Sequence, residues 1–476
     1  MKPSQKFFGS FLRYKKELVF GSLLKERTEI DTCIKQIKMR ILYQMANNLS
    51  SQPYKGTRDF YPEDKQLQNY IFSTWRSVTE SFGYEEYGAP VLEPLEIYTA
   101  KSGAELANEQ TYTFTDRGGR TVAIRPEMTP TVCRMVAARR QELAYPARLY
   151  SIANFMRYER PQRGREREFW QLNVDIFGDD GVSAEAEVIM MSDAIMKKFG
   201  AKSEDYIIRV NNRKLINFMM AQYLALDAAN AVSMTKLFDH KGKISDSDFI
   251  EQAAEIFGEN STDGLRKLEV LLAAKSMADL PAEIRESSAV AEVQQLFTIL
   301  ERADIKNLTF DITLMRGFDY YTGMVFEIFD THPDNNRALF GGGRYDGLVG
   351  LFGVEPVSAV GFAPGGTTME NFLQTHDLVP KFKSTTDVFM ITMGDVAREA
   401  IQLATDLRAK GINTELNLSD RKFDKQLKTA LKKNVPYILF VGEDEIKSGI
   451  YTIKNIAKSV EHKVNFTELI KLIKEQ

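Results

Sequence analysis

The sequence predicts a protein of the α+β class that is built from several domains. Three observations support this: strand-like segments are concentrated between residues 112 and 177, helical periodicity continues from 214 to 307, and strands alternate with helices from 384 to 476. A length of 476 residues allows three domains at about 150 residues each. We therefore divide the chain into an N-terminal extension (1–44), a main domain (45–375) containing a helical insertion (214–307), and a small C-terminal α/β domain (384–476).

The composition excludes several classes of protein. Lys and Arg (62) nearly balance Asp and Glu (65), so any contact with RNA must come from local patches of charge. Cys33 and Cys133 form no CxxC pair, and the four histidines are scattered, so no metal site is predicted. Few cysteines favour a reducing, cytoplasmic location. No apolar run approaches the roughly 20 residues that span a bilayer, so no membrane contact is expected.

The first 44 residues carry ten Lys or Arg against four Asp or Glu. The acidic residues argue against a transit peptide. Two interpretations stay open: a basic amphipathic appendage, or upstream sequence that precedes the natural start at Met45. The polar residues after Met45 favour the second interpretation.

A helix is predicted at 63–82, where apolar residues recur at helical spacing and Gly83 ends the pattern. Residues 84–92 form an extended run that contains Pro90. Because proline has no N–H, this run is expected at a sheet edge or a bulge. Many helix–strand units share the pattern, so it does not assign a function by itself.

Strands are predicted at 112–114 and 121–124, and the segment RPEMT follows at 125–129. Glu127 and Thr129 are two residues apart, so in an extended segment their side chains would point to the same face. A carboxylate beside a hydroxyl suits the capture of an ammonium group through charge-assisted hydrogen bonds. The alternative is structural, with Thr129 as the N-cap of the following helix.

The hairpin at 149–175 holds the richest chemistry. A strand at 149–155 leads through Arg157, Glu159 and a basic loop to a returning strand at 168–175. Alternation on that strand places four side chains on one face, three of them polar: Phe169, Gln171, Asn173 and Asp175. Buried Arg157, Gln171 and Asp175 would each cost about 1–3 kcal/mol without partners, and a bound polar substrate is predicted to supply those partners. The alternative is a solvated, charged hairpin.

The segment 314–327 has the composition of a pocket. Arg316, a fixed cation, and the adjacent Tyr320 and Tyr321 lie between predicted strands at 312–315 and 324–329. The alternative is a hairpin whose tyrosines pack on the core. Farther on, the segment GGGRYDGL at 341–348 contains a triple glycine, which permits a close backbone approach to a ligand.

The C-terminal domain contains a basic helix. Residues 421–433 hold six Lys or Arg against Asp424, with Lys425, Lys428 and Lys432 on one helix face. Such a run of charge is usually a solvated face, and an RNA contact is the alternative.

In this order, RPEMT, the hairpin, RGFDYY (316–321) and GGGRYDGL resemble the motifs of histidyl-tRNA synthetases, a family of class II aminoacyl-tRNA synthetases. The resemblance runs from about residue 53 to the end. It implies an antiparallel sheet flanked by helices in the catalytic domain, a helical insertion over the acceptor stem, and a C-terminal anticodon-binding domain. It also implies a homodimer whose interface includes the unit at 63–92, and it favours an RNA contact by 421–433.

The reaction that the resemblance implies is the adenylation of L-histidine by ATP with Mg²⁺, followed by transfer of the histidyl group to tRNA(His). No residue would act as a covalent nucleophile, so catalysis would depend on positioning and electrostatic stabilisation. Arg316 and Arg157 are the expected catalytic residues, because both would place a cation near the α-phosphate.

The resemblance also implies roles for the substrate-binding side chains. Glu127 and Thr129 would bind the α-amino group of histidine, and Asp175 and Tyr321 would hold the imidazole. The whole histidine site would comprise Glu127, Thr129, Arg157, Gln171, Asp175, Arg316, Tyr320 and Tyr321. For ATP, Glu159 and Phe169 would hold adenine, Arg157 the α-phosphate, and Arg165 the phosphates or the tRNA 3′ end.

One feature departs from the family pattern. Motif 3 normally continues as GF-x-x-G-x-E-R, whereas its last two positions here are Thr367 and Thr368. Together with Glu370, Thr367 forms a capping-box pattern, which explains these residues without a catalytic role. The departure favours a second interpretation, a non-catalytic paralogue that is a regulatory subunit of ATP phosphoribosyltransferase in histidine biosynthesis. The C-terminal domain and the intact segment 316–321 argue against it.

Overall fold

The computed structural model describes residues 49–100, 109–241, 244–314, 320–335, 337–417 and 422–475. The predicted N-terminal extension (1–44) lies outside these residues. The chain divides into two compact units, the first comprising residues 49–65, 71–198 and 202–372 and the second residues 66–70, 199–201 and 373–475.

Eleven strands are described before residue 373. In chain order they are β1 (Glu85–Glu86), β2 (Leu92–Pro94), β3 (Tyr112–Thr115), β4 (Thr121–Ile124), β5 (Ala147–Met156), β6 (Glu168–Phe177), β7 (Tyr206–Asn212), β8 (Leu308–Phe310), β9 (Met324–Asp330), β10 (Ala338–Arg344) and β11 (Ala359–Phe362). Eight form one sheet in the order β1-β5-β6-β11-β10-β9-β7-β8, and β2-β4-β3 form a separate small sheet. The large sheet is mixed, because β1 and β8 pair parallel to β5 and β7 at its edges and the inner pairs are antiparallel. The predicted α+β class is confirmed.

The α-helices described in this part of the chain flank the sheet and fill the region between β7 and β8. They are α1 (Pro62–Ser81), α2 (Glu96–Thr99), α3 (Thr129–Ala138), α4 (Val182–Lys198), α5 (Arg213–Phe218), α6 (Ala228–His240), α7 (Asp246–Phe257), α8 (Ser261–Ala273), α9 (Ala282–Arg285), α10 (Ser288–Arg302) and α11 (Gly366–Thr375). The helices α5 to α10 share an apolar core that includes Leu215, Phe249, Leu268 and Val293. The helical periodicity predicted at 214–307 is therefore confirmed as secondary structure.

The second unit contains a five-stranded sheet. Its elements are β12 (Val388–Thr392), α12 (Ala397–Ala409), β13 (Thr414–Asn417), α13 (Phe423–Lys432), β14 (Tyr437–Val441), α14 (Glu443–Ser448), β15 (Ile450–Asn455), β16 (Val460–Asn465) and α15 (Phe466–Lys474). The strand order is β13-β12-β14-β15-β16, with β12 parallel to β13 and β14. Successive apolar side chains of β12 pack into two cores on opposite faces of the strand. Val388 and Met390 belong to one core, and Phe389 and Ile391 belong to the other. The predicted C-terminal α/β domain is confirmed.

Two strand predictions need correction. The described part of the run 312–315 is a turn, and the strand lies earlier, at β8. The turn forms because the carboxylate of Asp311 accepts hydrogen bonds from the backbone N (2.9 Å) and Oγ1 (2.6 Å) of Thr313. The run 84–92 is also mostly not a strand, since only β1 and the first residue of β2 pair within it.

Within the described ranges, no helix combines the length and the apolar character that crossing a membrane requires.

Candidate active site

The strand register builds one face of the large sheet around Asp175. Asp175 of β6 pairs with Leu149 on β5 and with Gly361 on β11, and Gly361 pairs with Gly343 on β10. Paired residues point to the same face of a sheet, so two glycines lie beside the carboxylate. At Gly343 and Gly361 this face of the sheet therefore consists of backbone only.

The space above these two glycines is already filled by the side chains of Asp175 and Tyr321. A Cβ atom added to Gly361 would lie 2.3 Å from Oδ1 of Asp175, and one added to Gly343 would lie 3.0 Å from the ring of Tyr321. At Gly341 and Gly342 an added Cβ would meet the carbonyl oxygens of Phe326 and Gly361. Neighbouring strands and Tyr321 thus account for the triple glycine, and the predicted approach to a ligand stays a prediction.

Asp175 is almost fully buried and is held by a tyrosine that the sequence did not assign to the site. The hydroxyl of Tyr345 donates a short hydrogen bond to Oδ1 of Asp175, which is 4% exposed. Burial raises the pKa of Asp175 to about 7, and this hydrogen bond opposes the rise. Tyr345 also packs edge-on against Tyr320 (5.7 Å between ring centroids), which packs against Tyr321 (5.2 Å). Burial raises the pKa of both of these tyrosines.

A second buried carboxylate lies on the other side of this group of tyrosines. The hydroxyl of Tyr320 donates to Oε2 of Glu127 (3.1 Å) and lies 3.4 Å from Oγ1 of Thr129. The structure therefore brings Glu127, Thr129 and Tyr320 together, as predicted. The assumed extended segment is wrong, because Met128 has helical backbone angles (φ −99°, ψ −29°). The alternative is also wrong, since Thr129 is the first residue of α3 and Met128 occupies the N-cap position.

Arg157 is fixed by three contacts at the start of the hairpin loop. Its Nε donates to the carbonyl oxygen of Pro126 (2.9 Å), its guanidinium lies 5.2 Å from the ring centroid of Phe169, and its Nη1 lies 4.0 Å from Oε1 of Glu159. The amide of Gln171 donates to the carbonyl oxygen of Ala363 (3.1 Å). Arg157 and Gln171 are only half-buried, and all three side chains, including the buried Asp175, have protein partners. The prediction that a substrate must supply these partners is therefore wrong.

The hairpin loop places Arg165 beside Glu159, with 3.1 Å between Nη1 and Oε2. The side chain of Arg165 is 59% exposed, so it can turn from Glu159 towards an anion. Gly164, at the tip of the loop, lies against α11: a Cβ added there would be 3.5 Å from Nδ2 of Asn371 and 3.9 Å from Cγ2 of Thr368.

The capping box predicted at Thr367 is wrong. Helix α11 already begins at Gly366, and the hydroxyl of Thr367 donates to Oε2 of Glu166 (2.9 Å). Glu370 forms a short ion pair with Arg58, whose Nε also lies 3.2 Å from Oε1 of Glu166. The hydroxyl of Thr368 donates to the carbonyl oxygen of Gly365 (2.9 Å). Arg58 is therefore paired with two carboxylates, Glu166 and Glu370, near the start of α11.

The predicted catalytic residue Arg316 lies outside the described residues, as do its neighbours from 315 to 319. The chain just before this segment is held in place by the buried Asn211. Its amide donates hydrogen bonds to the carbonyl oxygens of Ile312 (3.3 Å) and Leu314 (3.1 Å). Sequence reasoning missed Asn211, Tyr345 and Arg58. For Tyr345 a signal existed, because it lies within GGGRYDGL.

A mixed sheet flanked by helices, carrying this hairpin and a motif 3 helix and followed by a separate α/β domain, defines a class II aminoacyl-tRNA synthetase. The family model for histidyl-tRNA synthetase matches residues 56–365, and the model for an anticodon-binding domain matches residues 387–476. The chain therefore belongs to the histidyl-tRNA synthetase family.

Individual relatives agree with this assignment. The histidine–tRNA ligase of Leptospira biflexa serovar Patoc is 42% identical over 432 residues, which cover 90% of this chain and 98% of that protein. The histidine–tRNA ligase of Haloarcula marismortui is 36% identical, with coverage of 84% and 93%. Among solved structures, the histidyl-tRNA synthetase of Nostoc sp. PCC 7120 superposes with a TM-score of 0.75 at 22% identity, covering 90% of this chain and 100% of that one, which shows the fold alone.

Proposed function

We propose that this protein activates L-histidine with ATP and transfers the histidyl group to tRNA(His). The observation that carries the proposal is the pair of buried carboxylates, Asp175 and Glu127, on either side of the tyrosine group. Histidine offers two nitrogen-bearing groups, an ammonium and an imidazole, and the two carboxylates match them. The names and similarity of the curated ligases support the same activity.

In the first step, a carboxylate oxygen of histidine attacks the α-phosphorus of ATP, and pyrophosphate leaves. Glu127 and Thr129 bind the ammonium group, while Asp175 and Tyr321 orient the imidazole. Arg157, held by Pro126 and Phe169, stabilises negative charge at the α-phosphate. Arg316 is proposed to share this task.

In the second step, a ribose hydroxyl at the 3′ end of tRNA attacks the carbonyl carbon of the adenylate, and AMP leaves. Glu159 and Phe169 hold the adenine, and Arg165 turns towards the phosphates or the tRNA end. When bound with ATP, Mg²⁺ would supply positive charge at the phosphates. Glu327 would be the carboxylate of this chain that helps to hold it, because Glu327 pairs with Gly341 on the sheet face that carries Asp175.

We also propose a homodimer that works in the cytoplasm. Exposed apolar residues support an interface at the small sheet, where Val91 is 46% and Leu92 is 47% exposed. Sedimentation velocity tests the homodimer. A species with the mass of one chain at micromolar concentration would contradict it.

Histidine-dependent exchange of pyrophosphate into ATP tests the activity. We expect exchange with histidine and not with other amino acids, and a large loss in Glu127→Gln. Glu142→Gln, at an exposed position, is the matched control and should retain exchange. A wild-type protein without histidine-dependent exchange would contradict the proposal.

The same assay addresses the regulatory paralogue. The threonines at 367 and 368 favour that function, and a structure described as an ATP phosphoribosyltransferase regulatory subunit/histidyl-tRNA synthetase from Bacillus halodurans superposes with a TM-score of 0.68 at 25% identity, covering 83% of this chain and 99% of that one. The match of residues 387–476 to an anticodon-binding domain and the curated ligases favour the ligase.

A further inference from the structure

A buried carboxylate on α4 takes no part in the proposed reaction. Glu185, which is 5% exposed, lies in the first turn of α4 and forms an ion pair with Arg344, the last residue of β10. Nε of Arg344 donates a short hydrogen bond to Oε1 of Glu185, and Nη2 donates to Oε2 (2.6 Å). Removing two charges from water is costly, and apolar residues of similar volume often stabilise a core as well. The geometry that the pair fixes is therefore more informative than its contribution to stability.

Arg344 uses all five of its N–H groups. Two of them bind Glu185. Nη1 donates to the carbonyl oxygen of Asp179 (3.0 Å) and to Oδ1 of Asp346 (3.3 Å). The second N–H of Nη2 donates to the carbonyl oxygen of Gly181 (3.1 Å). These bonds fix the guanidinium in one orientation, so the end of β10 is held at a defined position against the start of α4.

The ion pair lies on the face of the sheet opposite to Asp175. Gly343 lies on the face of Asp175, and successive residues of a strand point to opposite faces, so Arg344 points away from it. The next residue, Tyr345, returns to the first face and donates its hydroxyl hydrogen to Asp175. The ion pair therefore fixes, from behind the sheet, the backbone that carries this tyrosine.

Arg344 also holds the chain beside Tyr321. The carbonyl oxygen of Arg344 accepts a hydrogen bond from the backbone N of Thr322 (2.8 Å). The hydroxyl of Thr322 donates to Oδ2 of Asp346 (2.9 Å), whose other oxygen is bound by Arg344. A Cβ added to Gly323 would lie only 3.0 Å from Cδ of Arg344, so the chain after Tyr321 packs directly on this side chain.

We propose that Glu185 is a positioning residue for histidine recognition, which acts through Arg344 and does not touch the substrate. The ion pair sets the separation of Tyr321 and Tyr345, and with it the place where the imidazole meets Asp175. The inference rests on the proposed function, because it takes histidine as the substrate of this site. The proposed ATP-binding side chains belong to the hairpin of β5 and β6, away from the contacts of Arg344 described above, so ATP binding should be insensitive to the pair.

Equilibrium dialysis of the full-length protein with radiolabelled histidine, and separately with radiolabelled ATP, tests this role. Glu185→Gln keeps the shape of the side chain and removes its charge. We expect its Kd for histidine to rise roughly tenfold or more, with Kd for ATP within about twofold of wild type, because misplacing positioning groups by about 1 Å can cost about 100-fold. In pyrophosphate exchange, KM for histidine should rise in parallel and KM for ATP should not.

Glu187→Gln is the matched control. Glu187 lies on the same helix and makes the same kind of bidentate pair, with Arg148 on β5 (2.7 Å for both hydrogen bonds). Loss of either ion pair should lower the free energy of unfolding measured in urea. Glu187→Gln should nevertheless bind histidine like wild type.

Thr322→Val tests the same connection from its other end, and it decides the question where Glu185→Gln shows no cooperative unfolding. Thr322 is exposed, and valine keeps the ion pair while removing the hydroxyl that binds Asp346. We expect Kd for histidine to rise roughly two- to tenfold, the effect of one lost hydrogen bond.

Three results would overturn the inference. The first is an unchanged Kd for histidine in folded Glu185→Gln, or in Thr322→Val where the former does not fold. The second is an equal rise of Kd for histidine and for ATP, which would show a general loss of structure. The third is an equal rise of Kd for histidine in Glu187→Gln. Failure of the proposed function is distinguishable, because it removes pyrophosphate exchange from the wild type, whereas dialysis measures binding without turnover.

Discussion

Asp175 shows at the scale of one residue what the sequence could and could not predict. Alternation along the returning strand correctly placed Asp175 on the face of Phe169 and Gln171. It could not find Tyr345, which is 170 positions away in the chain and reaches the carboxylate because β11 pairs with both β6 and β10. Local periodicity predicts which face a side chain occupies, and the strand order determines its partners.

Burial of Asp175 predicts a dependence of stability on pH. Its pKa is about 7 in the fold against 3.8 when solvated, so between these values the folded protein binds more protons than the unfolded chain. The contribution of Asp175 to the free energy of unfolding should therefore fall as pH rises from about 4 to 7, and this loss should be complete above pH 7. We expect Asp175→Asn to remove this loss, so that its stability relative to wild type rises by on the order of 2–4 kcal/mol between pH 4.5 and pH 8.

Urea unfolding at several pH values measures this difference. Glu142→Gln, at an exposed carboxylate, controls for the removal of one charge. Parallel curves for wild type and Asp175→Asn across the whole range would contradict the prediction.

At the scale of elements, the side chains at the start of α11 bond to residues far away in the sequence instead of forming the predicted local cap. The sequence of Thr367 and Glu370 fits a capping box, yet Thr367 bonds Glu166, 201 positions earlier, and Glu370 bonds Arg58, 312 positions earlier. A charge-assisted bond to a distant residue contributes more than a local cap, and sequence patterns of four residues cannot reveal it. The turn at Asp311 is the opposite case, because a local side chain displaced a predicted strand.

The pairing of β11 with β6 makes Gly361 sensitive to substitution. A methyl group at this position would meet Oδ1 of Asp175 (2.3 Å) and the carbonyl oxygen of Val174 (2.6 Å). The backbone oxygen cannot move without disturbing the pairing of the two strands. We expect Gly361→Ala to lower the free energy of unfolding by about 1–3 kcal/mol and to raise KM for histidine in pyrophosphate exchange.

Gly347→Ala provides the matched control, because a Cβ there meets no atom within 4 Å. Its stability should stay within about 0.5 kcal/mol of wild type. Equal stability and equal KM for histidine in the two variants would show that position 361, beside Asp175, tolerates a side chain.

At the scale of the whole molecule, domain content was more predictable than connectivity. The alternation of strands and helices in the C-terminal domain could be predicted, but its strand order could not, since β12 lies between β13 and β14. The order of the large sheet could not be predicted either, since β11 inserts between β6 and β10, and β7 lies between β8 and β9. Hydrophobic periodicity defines strands and helices but carries little information on which strands pair over long distances. Motifs predicted which residues belong to the candidate site, and the contacts among the described ones came only from the fold.

The last prediction concerns residues 1–44. The match to the histidyl-tRNA synthetase family begins at residue 56, and α1 begins at Pro62. We therefore expect a chain that starts at Met45 to unfold at the same urea concentration as the full chain and to keep its histidine-dependent exchange.

Transfer to tRNA separates the two interpretations of this basic segment. If the Lys and Arg side chains of residues 1–44 neutralised tRNA phosphates, binding would release counterions. The segment would then raise the affinity for tRNA most strongly at low salt. We expect KM for tRNA to be the same for the two chains at both 50 and 200 mM salt, the range over which phosphate contacts lose roughly 10³–10⁵ in affinity in strongly basic binders. A higher KM for the shortened chain at low salt, converging at high salt, would instead show that residues 1–44 bind RNA.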